Sequence, residues 1–362
     1  MLVGGGTGGH VFPAIAVAEA LQQLRPDAKV VFAGTKGRIE AKLLPEYGYQ
    51  LETIWISGIR RSIRLENLLL PLKIVVSLLQ SFLLLRKLKP AAVLGTGGYV
   101  CGPVLYAASV LGVPTLIHES NSYPGVTTKM LAGRVDKVFL AFEEAKQWLG
   151  KARDVEVTGT PTRTTMETAS KQEAFRLFGL NPNKPVLLIS GGSQGAKAVN
   201  DAVAALLDVV LAAGVQLIWQ TGEGHFQEIK QLAGDRTVGW VGPFIKSMDL
   251  AYAAADLVVC RAGAATIAEL TRAGKPAVLI PYPLAAGDHQ TRNAQSLVKG
   301  GAAVLLPEHE ISGLKDILME LLKDDSRRQQ MRMAAKRLGK PAAARRIAEE
   351  MVRMATSREE TS

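Results

Sequence analysis

Two glycine-rich loops, Gly4-Gly-Gly-Thr-Gly-Gly-His10 and Gly191-Gly-Ser-Gln-Gly-Ala196, each lie between a short apolar run and a stretch with helical spacing. A strand that feeds a glycine loop and then a helix opens a doubly wound parallel sheet, because the turn needs close backbone approach that only glycine tolerates. The unit occurs at the head of each half of the chain. This predicts an architectural repeat without sequence repetition.

The patterns in between fit that frame. Apolar strands are expected at 29–34, 52–56, 92–95, 114–119 and 137–142, then at 185–190, 215–219, 237–241, 256–260, 277–281 and 302–306. Helices such as 13–24 and 103–111 alternate with them. The fold class is therefore α/β, with two Rossmann-like doubly wound domains. A length of 362 residues exceeds what one core organises. We place one domain at 1–160, a second at 161–340, and a basic terminal helix at 341–362 that either packs back on the first domain or stands solvated. The least patterned segment, 159–184, is read as a linker. Met1–Val3 is short for a first strand, so residues are expected to precede it.

Composition narrows the function. Two separated cysteines, Cys101 and Cys260, form no metal-binding pair and suit a reducing compartment. No basic and apolar leader precedes the first glycine loop, which reads as a chain that is not secreted. The net charge of +10 raises the question of an anionic partner, but RNA-binding motifs are missing and aromatics are only 6%, so no nucleic acid is expected.

The charge is local. Arg60, Arg61, Arg64, Lys73, Arg86, Lys87 and Lys89 surround the most apolar stretch, 68–85, with Glu66 as the one acid among them. Pro71 and Lys73 interrupt that stretch, leaving about a dozen apolar-dominated residues, too few to span a bilayer. Basic flanks around an apolar helix suit an anionic membrane surface, contacted peripherally. The alternative is a core helix with solvated flanks.

The stretch 256–293 reads as strand, loop, helix and strand. Arg261-Ala262-Gly263 is a small-residue turn ahead of a helix at 264–273, stopped by Gly274 and Pro276, and its uncovered N–H groups favour a diphosphate. Thr266 can add a hydroxyl. Glu269, one turn inside, can accept from two neighbouring hydroxyls, as in a ribose. Asp288, His289, Gln290 and Asn293 are polar groups suited to a sugar. Phosphate, ribose and hexose contacts in one unit suggest a nucleotide-sugar site, against the plainer reading of a solvated glutamate beside an ordinary turn.

The other loops separate rival chemistries. The first glycine loop matches the dinucleotide pattern, yet the second strand ends Ala33-Gly34-Thr35-Lys36 without the acid that would hold a cofactor ribose, which argues against hydride transfer. His10, at the head of a helix, can serve as a general base on a substrate hydroxyl or can merely cap the helix. A second loop, 95–103, and the polar cluster His118-Glu119-Ser120-Asn121 follow later strands, so that Thr7, His10, Tyr99, Glu119 and Asn121 should converge at the carboxyl ends. Arg163 can pair with a phosphate. Ser193 lies in a phosphate-type loop with no lysine of the Walker kind after it. No Asp-x-Asp pair occurs, so no metal is expected at a diphosphate, and no cofactor.

GGGTGGH at 4–10, GTGGYVCGP at 95–103, HESN at 118–121, GTPTR at 159–163, GGSQGA at 191–196, RAGAATIAE at 261–269 and DHQTRNA at 288–294 appear in that order. With these motifs, over essentially its full length, the chain resembles the MurG family of bacterial cell-wall glycosyltransferases. The resemblance implies the two-domain B-type glycosyltransferase (GT-B) fold, with two Rossmann-like domains facing across a cleft. It also implies inverting transfer of N-acetylglucosamine from UDP-N-acetylglucosamine to the C4 hydroxyl of undecaprenyl-diphospho-muramoylpentapeptide, lipid I, giving lipid II at the cytoplasmic face of the membrane. Carried over by position, the donor contacts are Thr7, Gly8, Gly9, Asn121, Arg163, Ser193, Ile245 through its backbone to uracil, Ala264, Ala265, Thr266, Ile267, Ala268, Glu269 and Gln290. His10 is the implied general base, with Glu119 as the alternative. Rival readings are a diacylglycerol glycosyltransferase with the same donor site, a UDP-N-acetylglucosamine 2-epimerase, which needs no acceptor and no basic-flanked apolar helix, and a non-catalytic nucleotide-sugar-binding protein.

Overall fold

Apolar runs with no polar face are satisfied only between two helical layers, and in the computed structural model they build two parallel sheets. The structure describes residues 1–57, 70–234, 236 and 239–359. The chain divides into unit 1, Met1–Arg163 with Pro341–Ser362, and unit 2, Thr164–Lys340.

Among the described residues, unit 1 holds seven strands: β1 (Leu2–Gly4), β2 (Val31–Gly34), β3 (Gln50–Thr53), β4 (Val93–Gly97), β5 (Thr115–Glu119), β6 (Lys137–Leu140) and β7 (Val155–Val157). Its helices are α1 (Gly8–Leu24), α2 (Ile39–Glu46), α3 (Leu70–Leu88), α4 (Cys101–Val110) and α5 (Val126–Leu131). The sheet order is β3-β2-β1-β4-β5-β6-β7, all parallel, so the winding reverses between β1 and β4. A ligand crevice belongs outside that reversal.

Unit 2 starts with α6 (Thr165–Thr168) and α7 (Lys171–Phe178), continues through β8 (Val186–Ser190), α8 (Lys197–Ala212), β9 (Gln216–Gln220), α9 (Phe226–Ala233), β10 (Gly239–Gly242) and α10 (Met248–Ala254). It goes on with β11 (Leu257–Cys260), α11 (Ala264–Ala273), β12 (Ala277–Leu279), α12 (His289–Lys299), β13 (Ala303–Leu305), α13 (Leu314–Lys323) and α14 (Asp325–Leu338). The order β10-β9-β8-β11-β12-β13 reverses between β8 and β11. The last helix, α15 (Ala343–Glu359), belongs to unit 1 and packs on α1. Arg346 clamps it there, its Nε and Nη2 reaching the two carboxylate oxygens of Glu156 at 2.7 and 2.8 Å.

Several boundaries differ from the sequence expectation. Helix α1 starts at Gly8 rather than at Pro13, because the Thr7 carbonyl already accepts from the His10 and Val11 N–H groups at 3.1 and 3.3 Å. His10 is thus inside the first turn. Strand β3 covers 50–53 rather than 52–56, a register set by the pairs Val31↔Gln50 and Gly34↔Thr53. The segment read as a linker contains α6 and α7. The Ser170 hydroxyl accepts from the Glu173 N–H at 3.3 Å, Gly179 ends the helix at φ 64°, and Ala174, Phe175 and Phe178 are buried. The strand expected from Thr237 is described from Gly239 onward; Thr237 lies outside the described residues.

Candidate functional site

At the reversal in unit 1 the loop after β1 meets the loop after β4. The Gly5 N–H donates to the Gly97 carbonyl at 3.4 Å, and the Thr96 hydroxyl donates to the His10 carbonyl at 2.7 Å. Gly98, at φ +89°, has no space for a side chain, since a Cβ would fall 2.4 Å from the Gly5 oxygen. The Cys101 thiol ties the same corner through the Val3 and Gly97 carbonyls, at 3.2 and 3.1 Å. Burial pushes this thiol up to about 12, which makes it a poor nucleophile.

His10 is wedged into this corner. Its Nδ1 is buried and makes no well-formed hydrogen bond. Burial lowers the imidazole pKa below 6.5, while the Glu119 carboxylate, the Thr96 carbonyl and the Glu40 carboxylate pull it back. Thr7, Gly8 and Gly9 form the entrance to α1, which has no side-chain cap and no acid in its first turn. Its first N–H groups therefore face outward.

Glu119 is buried at the end of β5, and its acceptor positions are filled. Oε1 takes the Asn121 N–H and Nδ2 at 3.0 and 3.2 Å, and Oε2 takes the Gly125 N–H and the Thr128 hydroxyl at 2.9 and 2.7 Å. This carboxylate shapes the 121–128 loop and orients Asn121. His118 is also buried, with Nε2 at 3.1 Å from the Gly159 carbonyl, and burial pushes its pKa down to about 4. Arg163 donates to the Tyr47 hydroxyl at 3.1 Å and lies over the Phe12 and Tyr47 rings.

In unit 2 the reversal joins the loop after β8 to the loop after β11, with the Arg261 N–H 3.4 Å from the Ser190 carbonyl. Ser193 is half-buried in the first of these loops. Helix α11 is entered through Gly263, without a side-chain cap and without an acid in its first turn. That leaves an anion-ready N-terminus beside a glycine loop. The side chains of Ala264 and Ile267 are buried in the core, so these two could meet a ligand only through their backbone, whereas Ala265, Thr266, Ala268 and Glu269 are half-buried. Glu269 accepts from the Tyr252 hydroxyl at 3.2 Å, and burial together with that carboxylate raises the Tyr252 pKa well above 10.

Gln220 and Tyr252, which the sequence does not single out, and Arg261, which it gives only as part of a turn, hold the unit 2 loops. Gln220, buried at the end of β9, donates to the Ser190 hydroxyl and the Gly192 carbonyl at 3.1 and 2.9 Å and accepts the Ile245 N–H at 2.8 Å. The Ile245 N–H is thereby occupied. Tyr252 braces Glu269. Arg261 bridges the Ile280 and Pro281 carbonyls at 3.1 and 3.0 Å and pairs with Glu308. The one signal for Gln220 is a glutamine closing the apolar run Leu217–Trp219. Asn293, read as a sugar contact, is instead fully buried and donates to the Ala262 carbonyl at 3.3 Å. The Gln290 Oε1 accepts the Tyr282 N–H at 2.9 Å, leaving its amide nitrogen to donate.

The apolar stretch forms α3, although 68 and 69, with Arg60, Arg61, Arg64 and Glu66, lie outside the described residues. Ser77 and Ser81 face inward and bond back to the Ile74 and Ser77 carbonyls at 2.8 and 2.7 Å, letting α3 approach α4. Leu72, Val75, Leu79 and Leu83 form an outward stripe, Leu83 being 67% exposed. Among the described residues no helix is long and apolar enough to cross a membrane.

The chain matches the glycosyltransferase family 28 N-terminal domain over residues 1–140 and the family 28 C-terminal domain over 186–350. It is 45% identical, over 98% of its length and 96% of the relative's, to the UDP-N-acetylglucosamine–N-acetylmuramyl-(pentapeptide) pyrophosphoryl-undecaprenol N-acetylglucosamine transferase of Salinibacter ruber. Against the enzyme of that name from Chlorobaculum tepidum it is 43% identical over 99% of both chains. The crystal structure of Acinetobacter baumannii MurG superposes with a TM-score of 0.71 at 33% identity, covering 98% of each chain. A Staphylococcus aureus MnaA–UDP structure shares the fold, at a TM-score of 0.68, 16% identity and coverage of 96% of this chain and 94% of that one. Two doubly wound units, each with a glycine loop at its winding reversal, and this similarity over nearly the whole length place the chain in the MurG family of glycosyltransferase family 28.

Proposed function

We infer that this chain transfers N-acetylglucosamine from UDP-N-acetylglucosamine to the C4 hydroxyl of undecaprenyl-diphospho-muramoylpentapeptide. The observation that carries the donor reading is the uncapped N-terminus of α11 beside the Gly191–Gly195 loop, with Glu269 one turn further in. The loop and helix N–H groups receive the diphosphate, Ser193 and Thr266 add hydroxyls, Glu269 takes the ribose hydroxyls, the Ile245 carbonyl reads the base, and Gln290 donates to the sugar. Thr7, Gly8, Gly9, Asn121 and Arg163 are the donor contacts of unit 1.

In the reaction His10 Nε2 takes the proton of the acceptor hydroxyl as that oxygen bonds to the sugar C1. The bond from C1 to the diphosphate breaks on the opposite face, and UDP leaves as an anion. Inversion at C1 follows. A general base of this kind contributes about 10²–10⁴-fold, and preorganised donors on the leaving group act in the same step. Glu119 acts through Asn121 rather than as the base, because its four hydrogen bonds occupy it.

The acceptor's lipid chain gives the exposed stripe of α3 a purpose. Five large apolar side chains turned outward, Ile74 beside the stripe of four, with Lys73, Arg86 and Lys87 on the same helix, suit peripheral docking on an anionic membrane, at the cytoplasmic face where a nucleotide sugar is available. The decisive experiment follows labelled N-acetylglucosamine from UDP-N-acetylglucosamine into a soluble short-chain lipid I analogue, with wild type and His10→Ala in parallel. Transfer by wild type and a loss of about 10²-fold or more in the variant is expected. Epimerised or unconsumed donor, with no transfer product, overturns the reading.

A further inference from the structure

Glu40 lies in the first turn of α2 and is fully buried, at 0% exposure. Its Oε2 accepts the Gly6 N–H at 2.9 Å, and its Oε1 accepts the Thr35 N–H at 3.0 Å and the Thr35 hydroxyl at 2.6 Å. Among the described residues no cationic side chain pairs with it. A carboxylate taken out of water without a counter-charge is costly, and packed apolar atoms in its place would serve stability better. Its use lies elsewhere.

The slot around it is cut by glycines. A Cβ on Gly5 would fall 2.4 Å from Glu40 Oε1, and one on Gly34 would fall 2.8 Å from Glu40 Cγ. Glu40 stands past the end of β2, the region from which an acid holds the ribose in dinucleotide folds. Here the carboxylate turns inward to the glycine loop. The Gly6 N–H, which an open loop would offer to a phosphate, is already taken, so the dinucleotide-like motif is closed at that point. Only the entrance of α1, from Thr7 onward, remains for an anion.

We propose that Glu40 is a positioning residue for the transfer step, anchoring the Gly4–Gly9 loop from the β2 side so that His10 is held in register against β4. The loop is pinned at Gly6 by Glu40, and four residues later the His10 carbonyl is pinned by the Thr96 hydroxyl at 2.7 Å. Both anchors hold the backbone that carries the imidazole. The charged and titratable groups around it are Glu40 from α2, Glu119 and His118 from β5, and Cys101 from α4, with the Thr96 carbonyl of β4. When His10 takes a proton, the two carboxylates face a new positive charge. Glu40 therefore acts on both the place and the proton affinity of the base. The inference rests on His10 being that base.

The test is the pH dependence of kcat/KM for transfer to the soluble lipid I analogue by wild type, Glu40→Gln, Glu40→Asp, Thr35→Val and His10→Gln. Neutralising the carboxylate should lower kcat tenfold or more, change the donor KM less, and move the acid limb of the profile to lower pH. Thr35→Val keeps the charge and removes one anchor, so kcat should fall several-fold with the acid limb in place; Glu40→Asp should recover part of the loss. If Glu40→Gln loses its cooperative melting transition, Thr35→Val and Glu40→Asp decide, and wild-type kcat in both overturns the proposal. An acid limb that survives in His10→Gln sinks the assignment of the base. A limb that vanishes in His10→Gln but stays put, with unchanged kcat, in Glu40→Gln sinks the role of Glu40 alone.

Discussion

The Gly97 α-carbon lies against the His10 ring so closely that a Cβ at position 97 would fall 2.3 Å from Nδ1. The end of β4 therefore sets where the imidazole of α1 can stand. Gly97→Ala should push the ring out of line and lower kcat by about 10²-fold, the scale of losing a general base. Because Gly97 is at φ +119°, it should also cost roughly 1–3 kcal/mol of stability. Steady-state kinetics beside a thermal melt separate the two effects, and full activity in a folded variant would contradict the wedge.

Acid should weaken unit 1 through His118. Its folded pKa of about 4 lies below the ordinary 6.5, so below pH 6.5 the unfolded chain binds the proton that the folded chain refuses. Stability is complete above pH 6.5 and falls as pH drops toward 4, by about 3 kcal/mol at most from this residue. Urea denaturation at pH 7.5 and 4.5, for wild type and His118→Gln, measures the difference. An equal pH slope in both proteins would remove His118 as the cause.

Gln220 ties the Gly191–Gly195 loop to Ile245. Gln220→Leu frees the Gly192 carbonyl and the Ile245 N–H together, and should raise the KM for UDP-N-acetylglucosamine about tenfold, on the order of 1.4 kcal/mol, with a smaller effect on kcat. Initial rates over a range of donor concentrations would show it; a fall in kcat at unchanged KM would assign the residue differently.

The stripe on α3 should govern membrane affinity alone. Leu79→Glu with Leu83→Glu replaces two outward side chains, so the melting temperature should hold while sedimentation with anionic vesicles drops by more than tenfold. Turnover on the soluble acceptor should be unchanged. Undiminished vesicle binding would direct attention to another face.

The alternation of apolar runs, glycine loops and amphipathic stretches was enough to specify two parallel sheets and the loops at their winding reversals, because strand burial and left-handed turns impose local residue choices. The positions of His10, Ser193 and Glu269 in or just after small-residue loops were legible for the same reason. Helix α7 was legible and overlooked: Ser170, Glu173 and Gly179 are ordinary cap signals. What the sequence could not disclose depends on contacts distant along the chain. Nothing in the sequence singles out Glu40, whose partner Gly6 lies 34 residues away, and Asn293 reads as a sugar contact until Ala262 claims it. The sequence by itself determined which backbone could form and where anions and hydroxyls could be met. Only tertiary packing decided which buried polar groups are occupied, because a hydrogen bond between residues far apart leaves no periodic mark on either segment.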